Sequence, residues 1–206
     1  MPRSYIRDKL LAEYIPSEKT EKLFSERAKN SNWADETESI DFFISYSSKE
    51  EEMAIRFAKY MMDQIKDCLI YVYAIDPKAI KGANEVSVDR IEQFLKKSKY
   101  VLFLQSEKSI KSFWCAWELG YMTALGTNKC IIVRINNDFS FAEHREYLKA
   151  YPRLMINGNA NVPEKAKFVV LRPDERIGIP LERYMKGDRE FLATDWHNVI
   201  NSFMKQ

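Results

Sequence analysis

One carboxylate stands in this sequence without company. In the run Ser112-Phe-Trp-Cys-Ala-Trp-Glu-Leu-Gly-Tyr-Met-Thr-Ala-Leu-Gly126, Glu118 is the single charged residue. Its neighbours at helical spacing are Trp114, Cys115, Tyr121 and Met122, none of them cationic. A carboxylate in apolar surroundings is costly unless it is paired or hydrated. Either a distant Lys or Arg pairs with it, or it points into a cleft where its charge is used.

A lone carboxylate suits cleavage of an N-glycosidic bond to a good leaving group. That reaction passes through an oxocarbenium-like state, and an anion beside the ribose stabilises the charge or holds the ribose hydroxyls. NAD is such a substrate, because nicotinamide leaves as a neutral base. The residues permit this chemistry without requiring it. Other chemistries find less support. The chain has no Gly-rich phosphate loop and no Walker lysine motif. His144 and His197 lie outside any metal-ligand spacing, so no metal site is expected. No nucleophile elbow supports a Ser-His-Asp triad. Cys115 lies one turn from Glu118 but has no base or positive surroundings, and core packing accounts for it better.

The elements that position Glu118 can be read from the same pattern. Ser112 is placed to cap the helix and Gly126 to end it, and the apolar residues between them predict a helix buried all round. Upstream, Ile40–Tyr46 reads as a strand. It is followed by Ser47 and Ser48, either of which forms a capping box, with Glu50 or Glu51, for a helix running to about Ile65. Cys68–Ile75 and Tyr100–Leu104 read as strands two and three, with a helix from about Ser87 to Lys97 between them. Lys129–Ile135 and Lys167–Leu171 read as strands four and five. A helix is expected over Phe141–Ala150, and a last one carries Trp196, Val199, Ile200 and Phe203. Short continuous apolar strands alternating with helices predict an α/β fold, an open parallel five-stranded sheet of flavodoxin-like order 2-1-3-4-5 with helices on both faces. In such sheets ligands bind at the carboxyl ends of the strands. Tyr46, Ser47 and Ser48, Asp76, and the start of the Glu118 helix with Trp114 all fall on that edge.

Residues 1–38 read as a helical extension and linker, with Ser17 capping a helix over Glu18–Ala28 and a polar stretch from Asn30 to Ser39. Residues 39–206 form the main domain. The chain of 206 residues carries a net charge of +2 and 46% hydrophobic residues, which gives no reason to expect a nucleic-acid partner. Its longest apolar runs are too short to span a bilayer, and no signal peptide is visible. Cys68, Cys115 and Cys130 lack a paired spacing, and a reduced, cytoplasmic protein with no membrane partner is expected.

Several of these stretches resemble the Toll/interleukin-1 receptor (TIR) domain. Asp41-Phe-Phe-Ile-Ser-Tyr-Ser47 resembles its first box, and Asp76–Gly82 its BB loop. Ser109-x-x-Ser-x-Trp114-Cys115-x-x-Glu118-Leu119 resembles the motif of its third helix. The resemblance is clear over Ser39–Ile135 and loose beyond. It implies that Glu118 is the catalytic residue of an NAD-cleaving enzyme, a glycohydrolase or ADP-ribosyl cyclase. It implies that Tyr46, Ser47 and Ser48 line the substrate cleft, and that Ile80, Lys81 and Gly82 form an assembly loop through which copies self-associate. Asp76, from its place on the same sheet edge, and Trp114, one turn before Glu118 and expected to pack beside the carboxylate, complete the expected substrate contacts. No cofactor is implied, NAD+ being the substrate. Ser47 departs from the arginine that many family enzymes carry after the aromatic residue. A stand-alone domain of this kind resembles prokaryotic antiviral proteins, whose cyclic ADP-ribose product signals to a separate effector. The alternative is a non-catalytic TIR module that binds another TIR domain. A nucleoside deoxyribosyltransferase-like enzyme, which also uses a carboxylate in a similar fold, is a third reading.

Overall fold

The apolar runs become the strands of one mixed sheet. The computed structural model describes residues 8–30, 32–81, 85–86, 88–135, 146–156, 168–173 and 178–187. Strands β1 (Ile40–Ser45), β2 (Ile70–Tyr71), β3 (Ile80–Lys81), β4 (Glu85–Val86), β5 (Ser98–Gln105), β6 (Cys130–Arg134), β7 (Arg153–Ile156), β8 (Phe168–Leu171) and β9 (Gly178–Pro180) follow in chain order. The helices are α1 (Asp8–Glu13), α2 (Glu18–Lys29), α3 (Glu51–Gln64), α4 (Val88–Lys97), α5 (Phe113–Leu125) and α6 (Leu181–Met185). The main sheet runs β2-β1-β5-β6-β7-β8-β9. Its first five strands are parallel, and β7, β8 and β9 pair antiparallel.

The flavodoxin-like order therefore holds for five parallel strands, but the sheet has seven strands rather than five. The fifth parallel strand is Arg153–Ile156, which Pro152 disguises as loop in the sequence. The stretch expected to be strand five is β8, antiparallel to it. The helix expected at Phe141–Ala150 is described only over Glu146–Ala150, as a 3-10 turn. The expected last helix, with Trp196, lies outside the described residues, as does Gly82.

Alternation along β1 sorts its side chains between two faces. Phe42 packs near Tyr100, which meets Tyr184 of α6. Phe43 stacks on Tyr71, and Tyr71 stacks on Phe94 of α4 with ring centroids 4.2 Å apart. Ser45, two residues after Phe43, shares the Phe43 face. Helix α5 packs against β1, β5 and β6.

The N-terminal segment is joined to this core. Leu11, Phe24, Trp33 and Ala34 are buried in the main hydrophobic cluster, so residues 30–39 are not merely a polar linker. Ser17 caps α2 as expected, accepting from the Thr20 N–H at 3.2 Å. The Asp63 carboxylate of α3 accepts from the Ser17 N–H at 2.8 Å, from the Ser17 hydroxyl at 2.7 Å and from the Thr20 and Tyr14 hydroxyls. Burial alone would raise the Asp63 pKa, but these donors together bring it down to about 2.

A second carboxylate fixes the loop after β2. Asp76 is 1% exposed and accepts from Arg90 Nε at 2.8 Å, from the Tyr71 hydroxyl at 2.8 Å and from the Lys78 N–H at 3.0 Å. Arg90 also pairs with Asp35, whose other oxygen takes the Lys78 ammonium at 2.6 Å. From this anchor the chain runs into the antiparallel pair β3/β4, a short two-stranded ribbon.

Removing one partner from a buried ion pair strands the other charge. Arg90→Met should therefore lower unfolding stability by about 3–5 kcal/mol. Asp35→Asn, at a residue about one-third exposed, should cost about 1 kcal/mol or less. Urea denaturation of the two variants at pH 7 checks the order, and equal losses would contradict it.

Candidate active site

Helix α5 holds Glu118 from a capped start. The Ser112 hydroxyl accepts from the Cys115 N–H at 3.4 Å. The approach to the cap is braced: Ser106 and Ser109 bond each other's backbone N–H groups at 2.8 and 3.0 Å. The Ser106 hydroxyl donates to Glu50 at 2.5 Å. Glu50 thus ties the start of α3 to the loop before α5, and no side-chain capping box forms at Ser47. Gly126 ends α5 at φ +143°, a backbone conformation that side-chain-bearing residues rarely adopt.

The helix is not buried all round. Cys115, Glu118, Leu119 and Met122 face inward, whereas Phe113 is 93% exposed and Trp114 and Leu125 are about half exposed. An apolar helix thus turns its one charge into the protein and several apolar side chains out.

Glu118 is 1% exposed, and its Oε2 has no hydrogen-bond partner. No described cation pairs with it. Burial is the chief cause that raises its pKa from 4.5 to about 8, opposed only by the Ser45 hydroxyl. Ser45 ends β1 on the face toward α5, fully buried. Its Oγ also lacks a partner, so the two groups face each other without closing a well-formed bond. Cys115 lies on the same helix, and its thiol is pushed up to about 12 by burial and then by the Glu118 charge. That excludes it as a thiolate nucleophile near neutral pH.

The turn after β1 brings Tyr46 beside the site. Its ring stacks on Tyr73 at 4.4 Å and 9°, and its hydroxyl accepts from the Ala74 N–H at 3.2 Å. Tyr73 is close enough for Glu118 to add to the rise in its pKa, most of which comes from burial. Ser47 is buried and Ser48 exposed. The structure thus gathers Glu118 and the Tyr46 turn, as the sequence suggests. It adds Ser45 and Tyr73, which the sequence reading passes over. Their only signals are a hydroxyl at the end of an apolar strand and an aromatic after the next one.

Two expected site residues have other work. Both Asp76 oxygens are engaged by the anchor, leaving none for a ligand. Trp114 was expected to pack beside the carboxylate, but its ring meets Trp117 edge-on at 5.8 Å. Trp117 in turn packs on Tyr121, whose hydroxyl donates to Glu92 of α4 at 3.2 Å.

A raised carboxyl pKa makes the fold bind more protons than the unfolded chain, so this contribution to stability falls as pH rises from 4.5 to about 8. Glu118→Gln removes the ionisation. Between those limits the variant should lose less stability with rising pH than the parent, as measured by denaturation at pH 5, 6, 7 and 8. Parallel curves would show that Glu118 does not titrate in this range.

Comparison with known proteins agrees with these features. No curated protein matches the chain. The family model described as the TIR domain matches residues 42–161, which takes in β1, the loop after β2, β5, and α5 with Glu118. No helix among the described residues is long and apolar enough to cross a membrane. With more than half of its length matched and the flavodoxin-like sheet in place, this chain belongs to the TIR domain family.

Proposed function

We propose that this TIR-domain protein cleaves the nicotinamide–ribose bond of NAD+, giving nicotinamide and ADP-ribose or a cyclic ADP-ribose isomer. The observation that carries this reading is Glu118, a buried carboxyl group with an orphaned oxygen and no countercharge among the described residues. Such a group recovers its lost solvation when a cation docks beside it. Nicotinamide bound to ribose is a cationic ring, and the transition state for its departure moves positive charge onto the ribose. An anion fixed at that place stabilises the charge as it forms. Leaving-group protonation is not needed, because nicotinamide departs neutral, so one carboxylate suffices. In this reading Ser48 and the Tyr46–Tyr73 stack border the substrate, and Trp114 offers an exposed aromatic face near the helix start.

The ionised carboxylate is the working form. The ratio kcat/KM should therefore climb with pH to a plateau above about 8. The midpoint in kcat should be lower, because the bound pyridinium favours ionisation. A kcat/KM that falls over pH 6–8 contradicts the assignment.

Incubation with NAD+ and chromatography of the products tests the reaction directly. Glu118→Gln should stay folded and lose turnover by at least a hundredfold, while retained full rate would remove Glu118 from the mechanism. Trp114→Ala gives a complementary measure. At 44% exposure it should change stability by no more than about 1 kcal/mol. A several-fold loss of turnover would then report on substrate contact, and unchanged activity per folded molecule would exclude one.

The second reading, a non-catalytic module that pairs with other TIR domains, draws on the outward face of α5. TIR domains commonly self-associate, and Phe113 and Leu125 are large apolar side chains left in water. A role in antiphage signalling, with an effector that senses a cyclic product, follows only from the cyclase form of the first reading. Identification of the product in the same chromatogram distinguishes hydrolysis from cyclisation.

A further inference from the structure

Two buried polar atoms face each other across the junction of β1 and α5, and neither is satisfied. Ser45 Oγ and Glu118 Oε2 both lie out of solvent and without a hydrogen-bond partner. Ser45 is wholly buried at the end of β1, on the face against which α5 packs. Buried polar groups are nearly always bonded, so a facing pair of orphans calls for an explanation. A serine hydroxyl has one donor that rotates freely about its C–O bond, whereas an ionised carboxylate only accepts.

We propose that Ser45 is a positioning residue for Glu118: its hydroxyl turns to donate to Oε2 when the carboxylate ionises, and so holds the charged form in a site without a countercharge. This rests on the reading of Glu118 as the working carboxylate. The surrounding titratable groups do not offer a substitute. Cys115 on the same helix and Tyr73 after β2 stay neutral through pH 8, both held up by burial and by Glu118 itself. Glu50 and Glu51, at the start of α3, act on Cys115 and Tyr73 respectively, and neither brings a positive charge. Among the described residues, Ser45 is the one group whose placement favours an ionised Glu118, and the same hydroxyl also lies beside the Cys115 thiol. Its loss leaves burial unopposed.

Carbon-13 titration of the Glu118 carboxyl group, in the full chain and without substrate, tests the proposal. Ser45→Ala should move the midpoint to higher pH by roughly one unit, a tenfold weaker acid. Ser45→Cys keeps the volume but supplies only a weak donor, and it should shift the midpoint the same way should the alanine variant fold poorly. Ser45→Thr retains the hydroxyl and should restore the native midpoint. A folded Ser45→Ala or Ser45→Cys protein with the parental midpoint overturns the proposal. The pH midpoint of kcat/KM for NAD+ should follow the titration. A shifted titration in a protein whose parent turns over no NAD+ would sink the reaction while leaving the action of Ser45 on Glu118 established.

Discussion

A buried carboxyl group that no described residue matches with a countercharge is the constraint around which this molecule is arranged. Desolvation of an anion in an apolar interior outweighs most single contacts. The fold tolerates Glu118 because the group takes a proton near neutral pH, and because it sits at the carboxyl edge of β1 and β5, where parallel sheets open to ligands. The braces around it are built from other residues. Ser106, Ser109 and Glu50 hold the loop before α5, Ser112 caps the helix, and the Tyr46–Tyr73 stack fixes the turn after β1.

The same chain shows what a structural carboxylate looks like. Asp63 is saturated by donors from the N-terminal segment and is driven to lower pKa. Asp76 is more deeply buried and is matched by Arg90, Tyr71 and a backbone N–H. Both serve to fasten: Asp63 docks α1 and α2 on α3, and Asp76 secures the loop after β2 to α4 and to Asp35. Glu118 has burial comparable to Asp76 and none of its partners. Equal burial with opposite provision separates a group that stabilises the fold from one whose cost a ligand can offset. The anchor at Asp76 also joins the N-terminal segment to the loop after β2, since Asp35 belongs to the one and Lys78 to the other.

Much of this was legible in the sequence, for identifiable reasons. Strands β1, β5 and β6 announce themselves because both faces are covered, so their residues are apolar in unbroken runs. Ser17 and Ser112 cap as read, since a helix start needs an acceptor and little else supplies one. Strand β7 was hidden because Pro152 mimics a turn, and its pairing with β6 and β8 is a tertiary fact. The family pattern and Glu118 could be read from spacing, but the partners of a carboxylate could not. Asp76 and Glu118 look alike in the sequence, and only the approach of Arg90, fourteen residues on, separates them. Ser45 was invisible for the converse reason, one hydroxyl in an apolar strand being ordinary until its neighbour is known.

Helix α5 also corrects a common inference from composition. Thirteen residues with a single charge predict a helix surrounded by protein, yet Phe113 and Leu125 lie in water while Glu118 does not. Hydrophobic content measures how much surface a helix wants to cover. It does not say whether the cover comes from the same chain. Gly120 sharpens the point, because a Cβ there would meet open space. Mid-helix glycine costs roughly 1 kcal/mol against alanine, and none of the described residues requires it. The inward face of α5 is packed, with Cys115, Leu119 and Met122 buried beside Glu118. The outward face carries the unspent apolar surface. The placement of charge and apolar groups is therefore inverted relative to an ordinary surface helix. The proposed NAD+ cleavage would account for the inward half of that inversion, and association between TIR domains is the physical use that the outward half would serve.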